Sequence, residues 1–106
     1  MKLPETLPPN VDEYASTLEM LRCAFGPEIP DHQYFMVLRL LIPGMSIRSA
    51  ARFIELCGKC DYYEAIEHVM YVENVDISKI GGAELLEATR LRLLACGYAK
   101  WVAADA

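Results

Sequence analysis

Cys57-Gly58-Lys59-Cys60 is the one stretch of this 106-residue chain whose spacing has a chemistry attached to it. Two thiolates two residues apart supply half of a tetrahedral zinc site, or cycle as a dithiol. A structural zinc needs four ligands and the chain has no second Cys-x-x-Cys, so Cys23, Cys96, His32 or His68 would have to converge on the pair through the fold. A dithiol site of the thioredoxin kind follows a strand, whereas this pair lies between helical patterns. The reading that asks for fewest coincidences is structural: two small apolar side chains beside a helix turn, with no metal and no cofactor. Cys60, just ahead of a helix N-terminus, is the thiol expected to react first.

The other reactive groups offer less. His68 lies one turn after Glu64 and next to Glu67, but acid–base work also needs a pocket and a group that positions substrate, and neither is evident. His32 and His68 are both expected at the surface. Ser16, Ser46, Ser49 and Ser78 look like caps or surface hydroxyls. No G-x-S-x-G, Walker loop, H-E-x-x-H or dinucleotide-binding glycine pattern occurs. No enzyme is expected.

Charge is more informative. The formal net charge is −5 with an isoelectric point near 4.9, which weighs against non-specific attraction to nucleic acid or anionic lipid. From Cys60 to Ser78 the chain carries Asp61, Glu64, Glu67, Glu73 and Asp76 and no Lys or Arg. Glu64, Glu67, His68 and Tyr71 fall at i, i+3, i+4 and i+7, which predicts one acidic helix face with an aromatic on it. Asp61, Glu64, Glu67, His68, Tyr71, Glu73 and Asp76 are therefore the expected contact surface for a protein partner with a basic surface. The same face also reads as ordinary solvated helix.

The opposite sign gathers at Arg39, Arg48, Arg52 and Lys59. The run Ser46-Ile-Arg-Ser-Ala-Ala-Arg-Phe53 resembles the opening helix of a helix-turn-helix, and a DNA-binding regulator using Arg48 and Arg52 is the alternative reading. The would-be recognition helix, however, carries Glu64 and Glu67 where base and phosphate contacts want Arg, Lys, Asn or Gln. No direct nucleic-acid contact is expected.

The elements that must position these groups are helical. Hydrophobic residues make up 54% of the chain and aromatic ones 9%, and no segment alternates with period two, so the predicted class is all-α: a single bundle of about five helices plus a short turn. Residues 1–9 (MKLPETLPP) form a proline-restricted, extended N-terminal arm, and residues 10–106 form the bundle. Asn10 is predicted to cap the first helix, with Glu13 reaching back, and Gly26-Pro27 to stop it. A second helix opens at Pro30-Asp31 and closes at Pro43-Gly44. Eight of its nine residues from Tyr34 to Ile42 are apolar, which makes it the central one.

Ser46 caps the third helix, which turns Ile47, Ala50, Ala51, Ile54 and Cys57 inward and ends at Gly58. Asp61 with Glu64 opens the fourth, whose inner stripe is Tyr62, Ala65, Ile66, Val69 and Met70. Asp76 caps a possible single turn before the Gly81-Gly82 joint, and a last helix runs from about Ala83 to Cys96. Trp101, in the tail, is expected to seal the end of the bundle. Met1-Lys2-Leu3-Pro4-Glu5 holds no apolar leader, and the longest apolar stretch has nine residues and is broken by Arg39. The expectation is a cytoplasmic protein without a membrane anchor and with four reduced thiols.

The segment Phe25-Gly-Pro-Glu-Ile-Pro, followed by Tyr34, Val37-Leu38-Arg39-Leu40-Leu41 and Met45-Ser46, resembles the actinobacterial domain-of-unknown-function family 3349, as does the closing Arg90-Leu-Arg-Leu-Leu-Ala-Cys-Gly-Tyr98. The likeness covers about two-thirds of the chain, with a deletion near Gly58 and an insertion near Gly81. It implies a monomeric helical bundle and assigns no function. In kind, a short, acidic, single-domain chain without a catalytic motif is similar to the anti-CRISPR proteins by which phages inhibit bacterial defence. Those share no common motif, so no residue carries over. What that resemblance implies is an acidic face occupying a basic nucleic-acid channel of a Cascade-type or Cas effector.

Overall fold

The computed structural model describes residues 1–104, in which six helices surround one core: α1 (Ala15–Phe25), α2 (Tyr34–Leu41), α3 (Ile47–Leu56), α4 (Tyr62–Asn74), α5 (Gly82–Leu94) and α6 (Tyr98–Ala104). Short 3-10 turns precede α1, α2 and α5 and follow α2. The all-helical expectation holds among these residues, where extended pairing is limited to one isolated bridge between Lys2 and Glu28. The count differs by one helix, because what reads as a tail after Gly97 is α6.

Burial explains the arrangement. Six of the eight α2 residues are buried, so this helix needs neighbours on most of its circumference, and it packs against both α4 and α5. The α3–α4 pair is the most extensive helix contact, built on Ala50, Ala51, Phe53 and Ile54 of α3 and Ala65, Val69 and Val72 of α4. Met1 and Leu3 of the arm are buried as well. Leu3 N–H donates to the Pro27 carbonyl at 2.9 Å and Ile29 N–H to the Met1 carbonyl at 2.8 Å, while the Arg22 guanidinium donates to the carbonyls of Leu3 and Pro4.

The first helix starts later than Asn10. Val11 N–H is taken by the Pro8 carbonyl at 3.1 Å, which makes Asn10 part of a turn, and a 3-10 turn over Asp12–Tyr14 intervenes before α1. Ser46 and Asp61, by contrast, cap α3 and α4 by accepting from the N–H groups of Ser49 and Glu64. At the far end, Trp101 Nε1 donates to Thr17 Oγ1 at 2.9 Å and the Tyr98 hydroxyl donates to the Leu40 carbonyl. Any side chain at Gly44 would overlap the Trp101 ring, so the glycine is what lets α6 seat.

Cys23 and Cys96 form a disulfide between α1 and the α5–α6 turn, with Cα atoms 5.8 Å apart. This corrects the expectation of four reduced thiols: packing of α1 on α5 brings together two cysteines 73 positions apart, and only Cys57 and Cys60 remain free. Closing so long a loop restricts the unfolded chain by about 4 kcal/mol on a chain-entropy account. The double variant Cys23→Ala/Cys96→Ala is expected to lose stability of that order in urea titration; a loss under about 1 kcal/mol would mean the bridge relieves little chain entropy.

Candidate functional site

The Cys-x-x-Cys segment is a helix-to-helix joint. Gly58 takes φ +78°, its N–H donates to the Glu55 carbonyl, and Lys59 N–H reaches the Ile54 carbonyl, the paired bonds of a Schellman cap that ends α3. Asp61, three residues after Gly58, then caps α4. The spacing of the cysteines is thus the spacing of a turn. Burial pushes the Cys57 thiol up to about 12, with the nearby Met1 ammonium pulling weakly the other way. Cys60 is also raised, by burial and then by Glu64 and Asp61. The helix N-terminus expected to activate Cys60 is outweighed by burial and by the carboxylates that come with it.

Cys23 and Cys96 are committed to each other and cannot complete a metal site with this pair. Among the described residues no three His, Cys, Asp or Glu side chains converge in a way that could hold a metal ion. Two surface clefts, about 460 Å³ between the arm and α1 and about 550 Å³ between α1 and α6, are lined by neither free thiol and neither histidine.

His68 departs from the surface setting expected of it. The Tyr34 hydroxyl lies 2.9 Å from His68 Nδ1, and the two rings meet edge-on with centroids 5.5 Å apart. Burial raises the Tyr34 phenol, so it keeps its proton, and the hydroxyl donates to His68 Nδ1 in the tautomer that carries its hydrogen on Nε2. Phe35 packs edge-on against both His68 and Tyr71, and Lys59 Nζ stands 4.9 Å from the Tyr34 ring centroid. His68 is half-buried in an aromatic cluster that joins α4 to α2, and Tyr71 straddles the edge of that cluster at 45% exposed.

The carboxylates behave differently. Glu64, Glu67 and Glu73 are exposed, as are the two capping residues Asp61 and Asp76. Asp76 accepts from Ser78 N–H at 2.9 Å, and that bond holds its carboxyl below the usual range, with Arg39 adding to the effect. Among the described residues none of these five takes part in an ion pair; the pairs run Met1–Asp31, Lys59–Asp31, Arg52–Glu55 and Arg90–Glu87. No family model, curated protein or solved structure matches this chain.

Two residues join the face that were not assigned to it. Tyr63 is 78% exposed and Met70, expected in the inner stripe, is 50% exposed. They stand seven positions apart, two turns of one helix, and that spacing is the signal that was present in the sequence. The outward side of α4 therefore combines carboxylates with thioether and aromatic surface. The basic residues are more dispersed than their count suggests. Arg52 pairs with Glu55 at 2.8 Å and stacks over Tyr62, and Lys59 folds back towards Asp31 and Tyr34. Arg39 donates to the carbonyls of Val72 and Val75 at 2.8 and 2.9 Å, a cation on the open end of α4.

Arg39→Met keeps the apolar stem and removes those two bonds, so it is expected to lower stability by about 2 kcal/mol and to speed amide exchange in the last turn of α4. The second expectation concerns pH. A neutral Cys57 in the folded state faces an unfolded thiol that ionises near 9, so its contribution is intact below pH 9 and is lost as pH rises towards about 12. Cys57→Val should flatten the fall in urea midpoint between pH 9 and 11 without abolishing it, since Tyr34 titrates in the same direction. An unchanged slope would place the alkaline sensitivity elsewhere.

Proposed function

We propose that this protein is a non-enzymatic binding module that uses the outward face of α4 to occupy a basic surface on a nucleic-acid-handling effector, in the manner of an anti-CRISPR inhibitor. The observation that carries this reading is the run of exposed carboxylates Asp61, Glu64, Glu67, Glu73 and Asp76, none of which has an ion-pair partner among the described residues. Exposed carboxylates along α4 and at its two ends create a negative field that speeds encounter with a positive channel and repels DNA. Carboxylates alone give little affinity at a wet rim, and Tyr63, Met70 and Tyr71 supply the apolar area that a partner can desolvate.

The thiols contribute nothing to this role, because both are held in their neutral forms at physiological pH. Aromatic and thioether contacts set among acids suit a groove that normally receives a nucleic-acid strand, in which stacking surfaces accompany phosphate-binding cations. The protein acts as a decoy for that strand.

Expression of the chain in cells carrying a Cascade-type system should restore plating of a targeted phage, and purified protein should block DNA binding by the effector while shifting no random duplex itself. Glu64→Lys/Glu67→Lys should lose both effects with its thermal unfolding unchanged. Full inhibition by that double variant would remove α4 as the contact surface, and a shift of duplex by the protein alone would favour a DNA-binding regulator using Arg48 and Arg52.

A further inference from the structure

Helix α5 leaves a second face uncovered, and its charges are sorted along its length. Only Thr89 and Leu93 of this helix are buried, whereas Leu91 is 55% and Leu94 36% exposed, with Ala88 and Ala95 open beside them. Ala88, Leu91 and Ala95 lie at i, i+3 and i+7, an apolar stripe facing away from the core. The N-terminal half of the helix bears Glu84 and Glu87 and the C-terminal half Arg90 and Arg92. Arg90 takes Glu87 within its own helix at 2.6 Å, and Arg92 rests over the Phe25 ring at 5.3 Å.

We propose that α5 is a homodimer surface, paired antiparallel with α5 of a second copy about a two-fold axis that passes between Ala88 and Leu91. A two-fold contact must be self-complementary: whatever one copy offers at one end, the other must accept there. A helix that is acidic in its first half and basic in its second satisfies that condition only when antiparallel, since the acidic half of each copy then lies alongside the basic half of the other, with Glu87 level with Arg92. The small Ala88 of one copy receives Leu91 of the other at the centre, which lets the axes approach. The exposed Glu87–Arg90 pair is held by little energy and exchanges partners readily. A parallel pairing would set acid against acid and base against base. The monomer implied by sequence resemblance gives way, on this view, to a concentration-dependent dimer whose interface is separate from α4.

Sedimentation velocity of the full chain from about 5 to about 500 µM, the range in which a weak interface assembles, is expected to show a monomer–dimer equilibrium. Glu84→Lys/Glu87→Lys and Arg90→Glu/Arg92→Glu should each be monomeric alone and should form a mixed dimer when combined, which a misfolded variant could not do. Leu91→Glu should be monomeric throughout, and Glu64→Lys/Glu67→Lys should dimerise like the parent. A parent that stays monomeric at the highest concentration, or a dimer that survives Leu91→Glu, overturns the proposal.

Discussion

A helix with six of its eight side chains buried has no side to give to water, and the bundle is arranged around that requirement of α2. The one charged residue in its sequence, Arg39, sharpens the constraint. A guanidinium on such a helix must find acceptors, and it finds them in the last carbonyls of α4. Burial of α2 and placement of α4 are therefore one event. Once Ala65, Val69 and Val72 are turned inward and the C-terminal end is held by Arg39, Glu64, Glu67 and Glu73 are left outward. The acidic face follows from how the core is satisfied.

Local signals were the readable ones. Ser46, Asp61 and Asp76 each accept from a nearby N–H as their positions foretell, because a cap involves only residues two or three apart. Asn10 fails for an equally local reason, the competing bond from Val11 to Pro8. Helix α6 has no such signature: it is seated by Trp101 on Thr17, Tyr98 on Leu40 and the missing side chain of Gly44, contacts that span from 57 to 84 positions. The Cys23–Cys96 bridge was hidden for the same reason, since pairing depends on which helices touch.

The candidate site was legible in charge and less so in direction. Periodicity orders residues around an axis but does not say where neighbours stand. Met70 sits beside Val69 in sequence and yet faces solvent, whereas His68, among the carboxylates in sequence, turns onto Tyr34 and Phe35. The thiols carried the strongest chemical reputation and have the plainest structural account. Gly58 ends one helix, Asp61 starts the next, and two cysteines fill the corner.

The central proposal is that α4, rather than the thiols or the clefts, meets positively charged matter. Amide chemical-shift mapping of the ¹⁵N-labelled full chain against an oligo-arginine peptide at low salt addresses this without knowing the partner. The account predicts saturable shifts concentrated on Tyr63, Glu64, Glu67, Met70 and Glu73, weakening as salt is added. Shifts centred on the arm and α1, or spread evenly over every exposed carboxylate, would contradict it.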